Sequence, residues 1–315
     1  MKQLILTADD YGIAPWTNEA IARLAETGIL RRISVMPNMP FWREGLDSIR
    51  IRFPHLSLGL HFCLTSGRSV LPPEKIPLLV DSDGRFMLGF TGLLRRLHGR
   101  NRSEMLRQIW LELHAQIKKM EEVGFPPQHL DSHQHIHMIP PIYSLLIAQD
   151  SDKGAVPLRH SRERFPGFRR FRRRGRTWFP AGWAKWGVLS FCAMLARARQ
   201  SRPGTSFPKT GYFGILDSGR MDRTAWRALL EDFPEDPCEV NTHPGLPPHA
   251  VSAWRETPLC CSDEDREFLR SPWRRIEYEA VSEPAFRHML RYHEIDIAIS
   301  GSAFPTKPGA HCKAS

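Results

Sequence analysis

Apolar, β-branched runs alternate with stretches of helical periodicity from the first residues of the chain to about residue 300. Residues 4–7 form a short apolar run read as a strand, and Gly12 permits a sharp turn after Ala8-Asp9-Asp10-Tyr11. A helix is predicted over 15–26, with Pro15 at a tolerated first-turn position and Gly28 as its stop. Strands at 32–37 and 56–60 flank a helix at 41–51, and His61 closes the second of them. From 65 to 91 the pattern lapses into a Pro/Gly-punctuated loop, long enough to serve function rather than mere connection. The strongest helix spans 103–123: Met105, Ile109, Leu113, Ile117 and Met120 share one face, Ser103 suits the N-cap and Gly124 ends it. A strand ending near His133 follows, then a helix at 141–148 and a short strand at 156–158. Residues 181–198 read as an amphipathic helix, 223–230 and 283–292 as helices, and 212–216, 238–242 and 295–300 as strands.

Strand and helix in alternation imply parallel pairing, because parallel neighbours need crossover connections. Seven or eight strands over this length predict an α/β fold, a distorted (β/α) barrel of the TIM-like kind, with a doubly wound open sheet as the rival. No glycine fingerprint for a dinucleotide or a P-loop occurs. The expected organisation is one barrel domain over 1–303 with an Arg-rich insertion at about 160–200, followed by a disordered tail at 304–315.

Composition narrows the class. At 315 residues, 41% hydrophobic and 25% charged, the chain has ample material for a core. It has neither a run of eighteen apolar residues nor a signal-like N-terminus, so a cytoplasmic location is the expectation. Six cysteines without CxxC spacing point to free thiols rather than a zinc ribbon or a disulfide framework. The net charge of +10 is concentrated: nine arginines between Arg159 and Arg176 face one acid, Glu163. Such a stretch suits a solvated loop, an anionic substrate, a membrane surface or nucleic acid. Trp183 and Trp186 in the helix beyond it suit either a membrane interface or packing on the domain.

Four of fourteen histidines fall within HLDSHQHIH at 129–137. In an extended strand Asp131, His133, His135 and His137 would share a face, yet not all can reach one ion, and a surface cluster with no ligand is the plainer alternative. The wider pattern favours a site. Asp9-Asp10, His61, His133 and His243 all stand at the C-terminal ends of predicted strands, the face on which such barrels carry their chemistry. One carboxylate and two imidazoles can hold a divalent ion with positions left open, while a second carboxylate and a further histidine can exchange protons with water and leaving group. That describes metal-assisted hydrolysis without fixing the bond, whether amide or phosphoester.

TADDYG at 7–12, GLHFCLTSG at 59–67, HLDSHQHIHM at 129–138 and EVNTHPG at 239–245 resemble, in order, the motifs of the YdjC-like carbohydrate deacetylases, which include chitooligosaccharide and hopanoid-biosynthesis deacetylases. The resemblance implies that Asp10, His61 and His133 bind the metal, zinc or magnesium, that Asp9 is the general base and that His243 is the acid or transition-state partner. It further implies that Asp131 orients a metal-bound imidazole and that Arg159 and His137 belong to the substrate side, with a structural role left open for His135 and His137. The implied reaction removes the acetyl group from an N-acetylated amino sugar. Tyr11 replaces the phenylalanine common in the family, and the arginines at 162–176 lie outside its motifs. FGILDSGRM at 213–221 and VLPPEKIPLLVDSDGRF at 70–86 look closer to the hopanoid-associated branch, which implies a lipid-borne sugar and peripheral membrane contact. A homodimer is left open. The rivals are a metal-dependent phosphoesterase and, from outside enzymology, a nucleic-acid binder using the arginine stretch; the main reading expects no nucleic-acid partner.

Overall fold

A computed structural model describes residues 2–148, 156–174, 180–199, 210–247 and 260–298. Its centre is β1 (Lys2–Tyr11), buried from Leu4 onward. Around it lie β2 (Arg32–Val35), β3 (Ser57–Phe62), β4 (Leu130–Ser132), β5 (Gly211–Phe213), β6 (Cys238–Thr242) and β7 (Ile295–Ile297). All pairings are parallel, in the order β4-β3-β2-β1-β6-β5, with β7 also on β1. Residues 158–163 join the two edges: Leu158 bridges Leu130 of β4, and Glu163 bridges Tyr212 of β5. The sheet is therefore curled into a distorted barrel, and the open-sheet rival falls.

The strands alternate with period two, but the polar residues face inward. Leu4, Leu6 and Ala8 of β1, Ile33 and Val35 of β2, Leu58 and Leu60 of β3 and Val240 of β6 belong to one apolar core with helix residues such as Ile109, Trp226 and Phe286. The opposite faces carry Thr7, Asp9, Arg32, Ser34, His61, Asp131, Glu239 and Asn241, and these bond to one another across the barrel. Thr7 Oγ1 donates to Glu239 at 2.8 Å, Arg32 to Glu239 at 3.0 Å and Ser34 Oγ to Asp131 at 2.6 Å. Burying these groups is tolerable because each finds a partner. Gly59 lets this interior close, since a Cβ there would strike the His129 ring.

The helix Arg102–Glu121 matches its predicted face, though Asn101 rather than Ser103 precedes it. Its buried polar residues anchor the long loop beyond β3. Gln108 accepts from the N–H of Leu78, Glu112 from those of Val70 and Leu71, and Gln116 bonds both backbone groups of Cys63. The helix expected at 41–51 starts later, at Leu46, behind a left-handed Gly45. The short helices Phe90–Arg96, Asp263–Arg270 and Trp273–Ser282 were not expected.

The arginine stretch is not simply a solvated loop. Phe168–Arg174 is helical, and Arg170 is buried on Glu163 at 2.6 Å and Asp217 at 2.8 Å. The helix Pro180–Arg199 packs Leu189, Ala193 and Ala196 against Met138, Tyr143 and Tyr212. Cys63, Cys192, Cys238, Cys260 and Cys261 are free thiols. The tail at 304–315 lies outside the described residues.

Candidate active site

A regular strand would send Asp9 and Asp10 to opposite faces. The pairing of β1 with β2 slips between Ala8 and Tyr11, and Asp10 takes a left-handed backbone at φ 68°, a conformation Asp tolerates better than most residues. Both carboxylates therefore reach the C-terminal mouth of the barrel. Oδ1 of Asp10 lies 3.4 Å from Nε2 of His61 and 3.1 Å from Nδ1 of His133, while Oδ2 accepts from Arg274 at 3.1 Å. One ligand atom from each of Asp10, His61 and His133 lies within 4.8 Å of the others, and all three residues are buried.

The groups behind these imidazoles fix their orientation. Nδ1 of His61 is 2.5 Å from Asp131, which leaves Nε2 facing Asp10. Nε2 of His133 is 2.9 Å from Asp265, which leaves Nδ1 facing Asp10. Asp265 is held by Ser262, whose hydroxyl donates to it at 2.7 Å. A hard oxygen and two nitrogens, each imidazole backed by a carboxylate, form a donor set that fits a divalent cation. A second cluster of Asp9, His61 and Asp131 is equally compact, but Arg159 occupies both of its carboxylates.

Burial alone would raise the carboxyl of Asp10, but hydrogen bonds from His133 and His61 and the charge of Arg274 outweigh it and hold the group well below the usual range. Burial likewise opposes charge on His61, but Asp131 and Asp9, with the Asp10 hydrogen bond, lift it to about 9. Asp9 is also buried, yet it sits well below the carboxylate range because Arg159 grips both its oxygens, at 2.8 and 2.9 Å.

Arg159 and His137, expected on the substrate side, are both buried. Arg159 is 3% exposed, and its donors are spent on Asp9, Asp131 at 2.7 Å and Glu239 at 2.8 Å. The strand reading of 129–137 also stops short. β4 ends at Ser132, and left-handed Gln134 and His135 turn the chain into a tight 3₁₀ stretch. His137 is consequently enclosed, 2.6 Å from Ser132 Oγ and 3.2 Å from Ser161 Oγ, and His135 lies 3.0 Å from the same Ser161. Burial keeps both imidazoles neutral.

His243, which follows β6, is partly open, with its ring edge-on to Phe268. Its backbone N–H donates to Glu277 at 2.7 Å and its Nδ1 lies 3.7 Å from the same carboxylate. Asn241 connects Asp9 and His243: its amide donates to Asp9 at 3.0 Å and is 3.4 Å from Nε2 of His243. Sequence reasoning missed Asn241, Glu239, Asp265, Arg274 and Glu277. The first two lie inside EVNTHPG, where alternation with His243 was the available signal. Asp265 follows Ser262 at capping-box spacing, which signals a helix start but not a contact with His133.

A parallel α/β barrel that gathers buried carboxylates and imidazoles at its strand ends presents a donor arrangement suited to a divalent ion. The chain belongs to the YdjC-like protein family, whose model matches residues 3–292. Over 135 residues it is 37% identical to a carbohydrate deacetylase of Thermoanaerobacter pseudethanolicus, covering 43% of this chain and 51% of that one. A carbohydrate deacetylase of Enterococcus faecalis is 32% identical over 140 residues, 43% of this chain and 50% of that protein. The chain thus spans about half the length of these two relatives. It is 34% identical to a chitooligosaccharide deacetylase of Yersinia pestis over 204 residues, 63% of this chain and 77% of the relative. A solved structure from Enterococcus faecalis V583, whose given name refers to cellobiose-phosphate cleavage, shares the fold with a TM-score of 0.65 and 22% identity over 96% of this chain and 98% of that one.

Proposed function

We propose that this chain is a divalent-metal-dependent hydrolase that removes the acetyl group from an N-acetylated amino sugar. The observation that carries the reading is the convergence of Asp10, His61 and His133, with Asp9 next to Asp10 in the chain and His243 joined to Asp9 through the Asn241 amide. The named activities of the relatives support the same chemistry. Asp10, His61 and His133 hold the cation, and two imidazoles in the set favour zinc over magnesium. When bound, the cation supplies a Lewis acid for the amide carbonyl and for water.

Asp131 and Asp265 keep the two imidazoles aimed, and Arg274 holds Asp10 from behind. Asp9, kept free of protons by Arg159, accepts the proton of the attacking water as its oxygen bonds to the acetyl carbon. His243 donates a proton to the departing nitrogen as the C–N bond breaks, giving acetate and a free amine. Five free thiols among the described residues suit a reducing, cytoplasmic setting, and no helix among those residues is long and apolar enough to cross a membrane. The likeness of 213–221 and 70–86 to the hopanoid-associated branch supports a lipid-borne sugar as the substrate.

Acetate release from N-acetylglucosamine oligomers by the purified protein, abolished by a chelator and restored by zinc, is the expected result. Phosphate release from p-nitrophenyl phosphate without any acetate release overturns it.

A further inference from the structure

From Arg164 to Arg199 the chain holds ten Lys or Arg and no Asp or Glu, and within this stretch the structure leaves apolar groups facing out. The helix Pro180–Arg199 is packed on the barrel by Leu189, Cys192, Ala193 and Ala196. At 100° per residue, Trp183, Ala184, Val188, Phe191 and Met194 fall in a sector of roughly 140° on its other side. Phe191 is 56% and Met194 57% exposed. Beside Trp183 the segment before the helix stacks Phe165 and Phe171, with ring centroids at 6.2 and 6.4 Å, and Phe168 projects at 77% exposure. Arg162 and Arg172 are exposed among these aromatics, and Arg164 lies 3.8 Å from the surface carboxylate of Asp236.

We propose that this face docks on an anionic membrane surface, with Phe168, Phe191 and Met194 entering the interface and the surrounding arginines meeting lipid phosphates. Charge decides among the occupants. An isologous dimer through the same face would set two acid-free cationic stretches against each other, whereas an anionic bilayer complements both the apolar stripe and its cations. The helix is amphipathic in an unusual sense: one apolar face meets the protein and the other is left for lipid, and no helix among the described residues is long and apolar enough to span. It also packs directly on Met138, Tyr143 and Tyr212 beside the catalytic mouth, so a docked molecule carries its site close to the surface. Docking itself does not depend on the deacetylase reading; only the consequence that the sugar is lipid-borne rests on it.

The test is co-sedimentation of the full chain with phosphatidylcholine vesicles, with and without phosphatidylserine, at low and high salt. Binding should require phosphatidylserine and weaken with salt. The triple variant Phe168→Ser/Phe191→Ser/Met194→Ser should bind roughly tenfold more weakly or worse, while acetate release from a soluble N-acetylglucosamine oligomer stays unchanged. Absence of binding to phosphatidylserine vesicles overturns the proposal. So does undiminished binding by the triple variant, or a concentration-dependent dimer in sedimentation velocity that the variant abolishes. Salt-sensitive binding of duplex DNA in place of vesicles, indifferent to the three substitutions, overturns it as well. Because no arm of the binding measurement requires turnover, an inactive protein that binds vesicles contradicts the functional reading and leaves the docking surface standing.

Discussion

Asp265 lies 2.9 Å from Nε2 of His133, on the side of the ring opposite Asp10. His133 is thus clasped between two carboxylates, one in the cluster with His61 and one behind it. The arrangement repeats at His61, where Asp131 takes Nδ1 and leaves Nε2 for the cluster. In both cases a carboxylate orients the ring and would raise the basicity of the nitrogen left facing the proposed cation site.

Asp265→Asn should therefore weaken zinc binding by about 10- to 100-fold without altering the far-UV circular dichroism spectrum. A competition titration against a chromophoric chelator measures this directly. Zinc affinity equal to that of the unsubstituted chain would show that Asp265 does not position His133.

Arg159 sets the stability of the interior. It faces Asp9, Asp131 and Glu239 in a fully buried setting, so truncation leaves Asp9 and Asp131 without their cation and Glu239 with Arg32 alone. Arg159→Ala should cost about 3–5 kcal/mol in urea unfolding, the cost of breaking a buried ion pair from one side. Asp9 is held below the ordinary carboxylate range, so its share of this stability is complete above the unfolded-state pKa of about 3.9. That share is lost only as pH falls through the lower folded value. A loss of stability appearing between pH 8 and 6 would not come from this pair.

Much of the site was legible because its residues interrupt apolar runs where strands end. His61, His133, His243 and the Asp9-Asp10 pair all declare themselves in this way, and the structure places them around one mouth. The supporting residues were not legible, for physical reasons. Asp265, Arg274 and Glu277 come from helices more than a hundred residues past His133, and the contacts they make are tertiary. Arg32 and Glu239 sat within predicted strands, but a polar barrel interior reverses the usual expectation that the inward face is the apolar one. The helix read as amphipathic over 181–198 is apolar on both faces, one packed and one exposed, and the sequence alone could not say which face meets the barrel. The run at 129–137 misled in the opposite direction, since two left-handed residues after Ser132 cancel the alternation that a strand would impose.

Asp9→Asn and His243→Ala should separate proton transfer from metal binding. Neither residue belongs to the Asp10, His61, His133 cluster, so both variants should retain zinc by elemental analysis. Each should lower kcat by about 10²- to 10⁴-fold with little change in KM, the usual contribution of one positioned acid or base. His61→Ala and His133→Ala should instead lose the metal. Full activity in Asp9→Asn would remove Asp9 from the role of base.

Gly59 tests whether the polar interior is packed as tightly as an apolar core. A Cβ at this position would meet the His129 ring, and that ring is held in place by Ser57 at 2.9 Å and Ser34 at 3.3 Å. The ring cannot swing aside without giving up both hydroxyl contacts, and Ser34 also anchors Asp131 behind His61. Gly59→Ala should accordingly destabilise the fold by about 1–3 kcal/mol, the typical cost of overpacking. Through the chain from His129 to Ser34 to Asp131 it should also loosen His61 and weaken zinc binding. Removing the obstruction should separate the two effects: in the Gly59→Ala/His129→Ala background the steric cost disappears. Urea unfolding of the single and double variants, with zinc titrations on each, would expose the coupling. Strictly additive free energies would mean that Gly59 and His129 do not share this space.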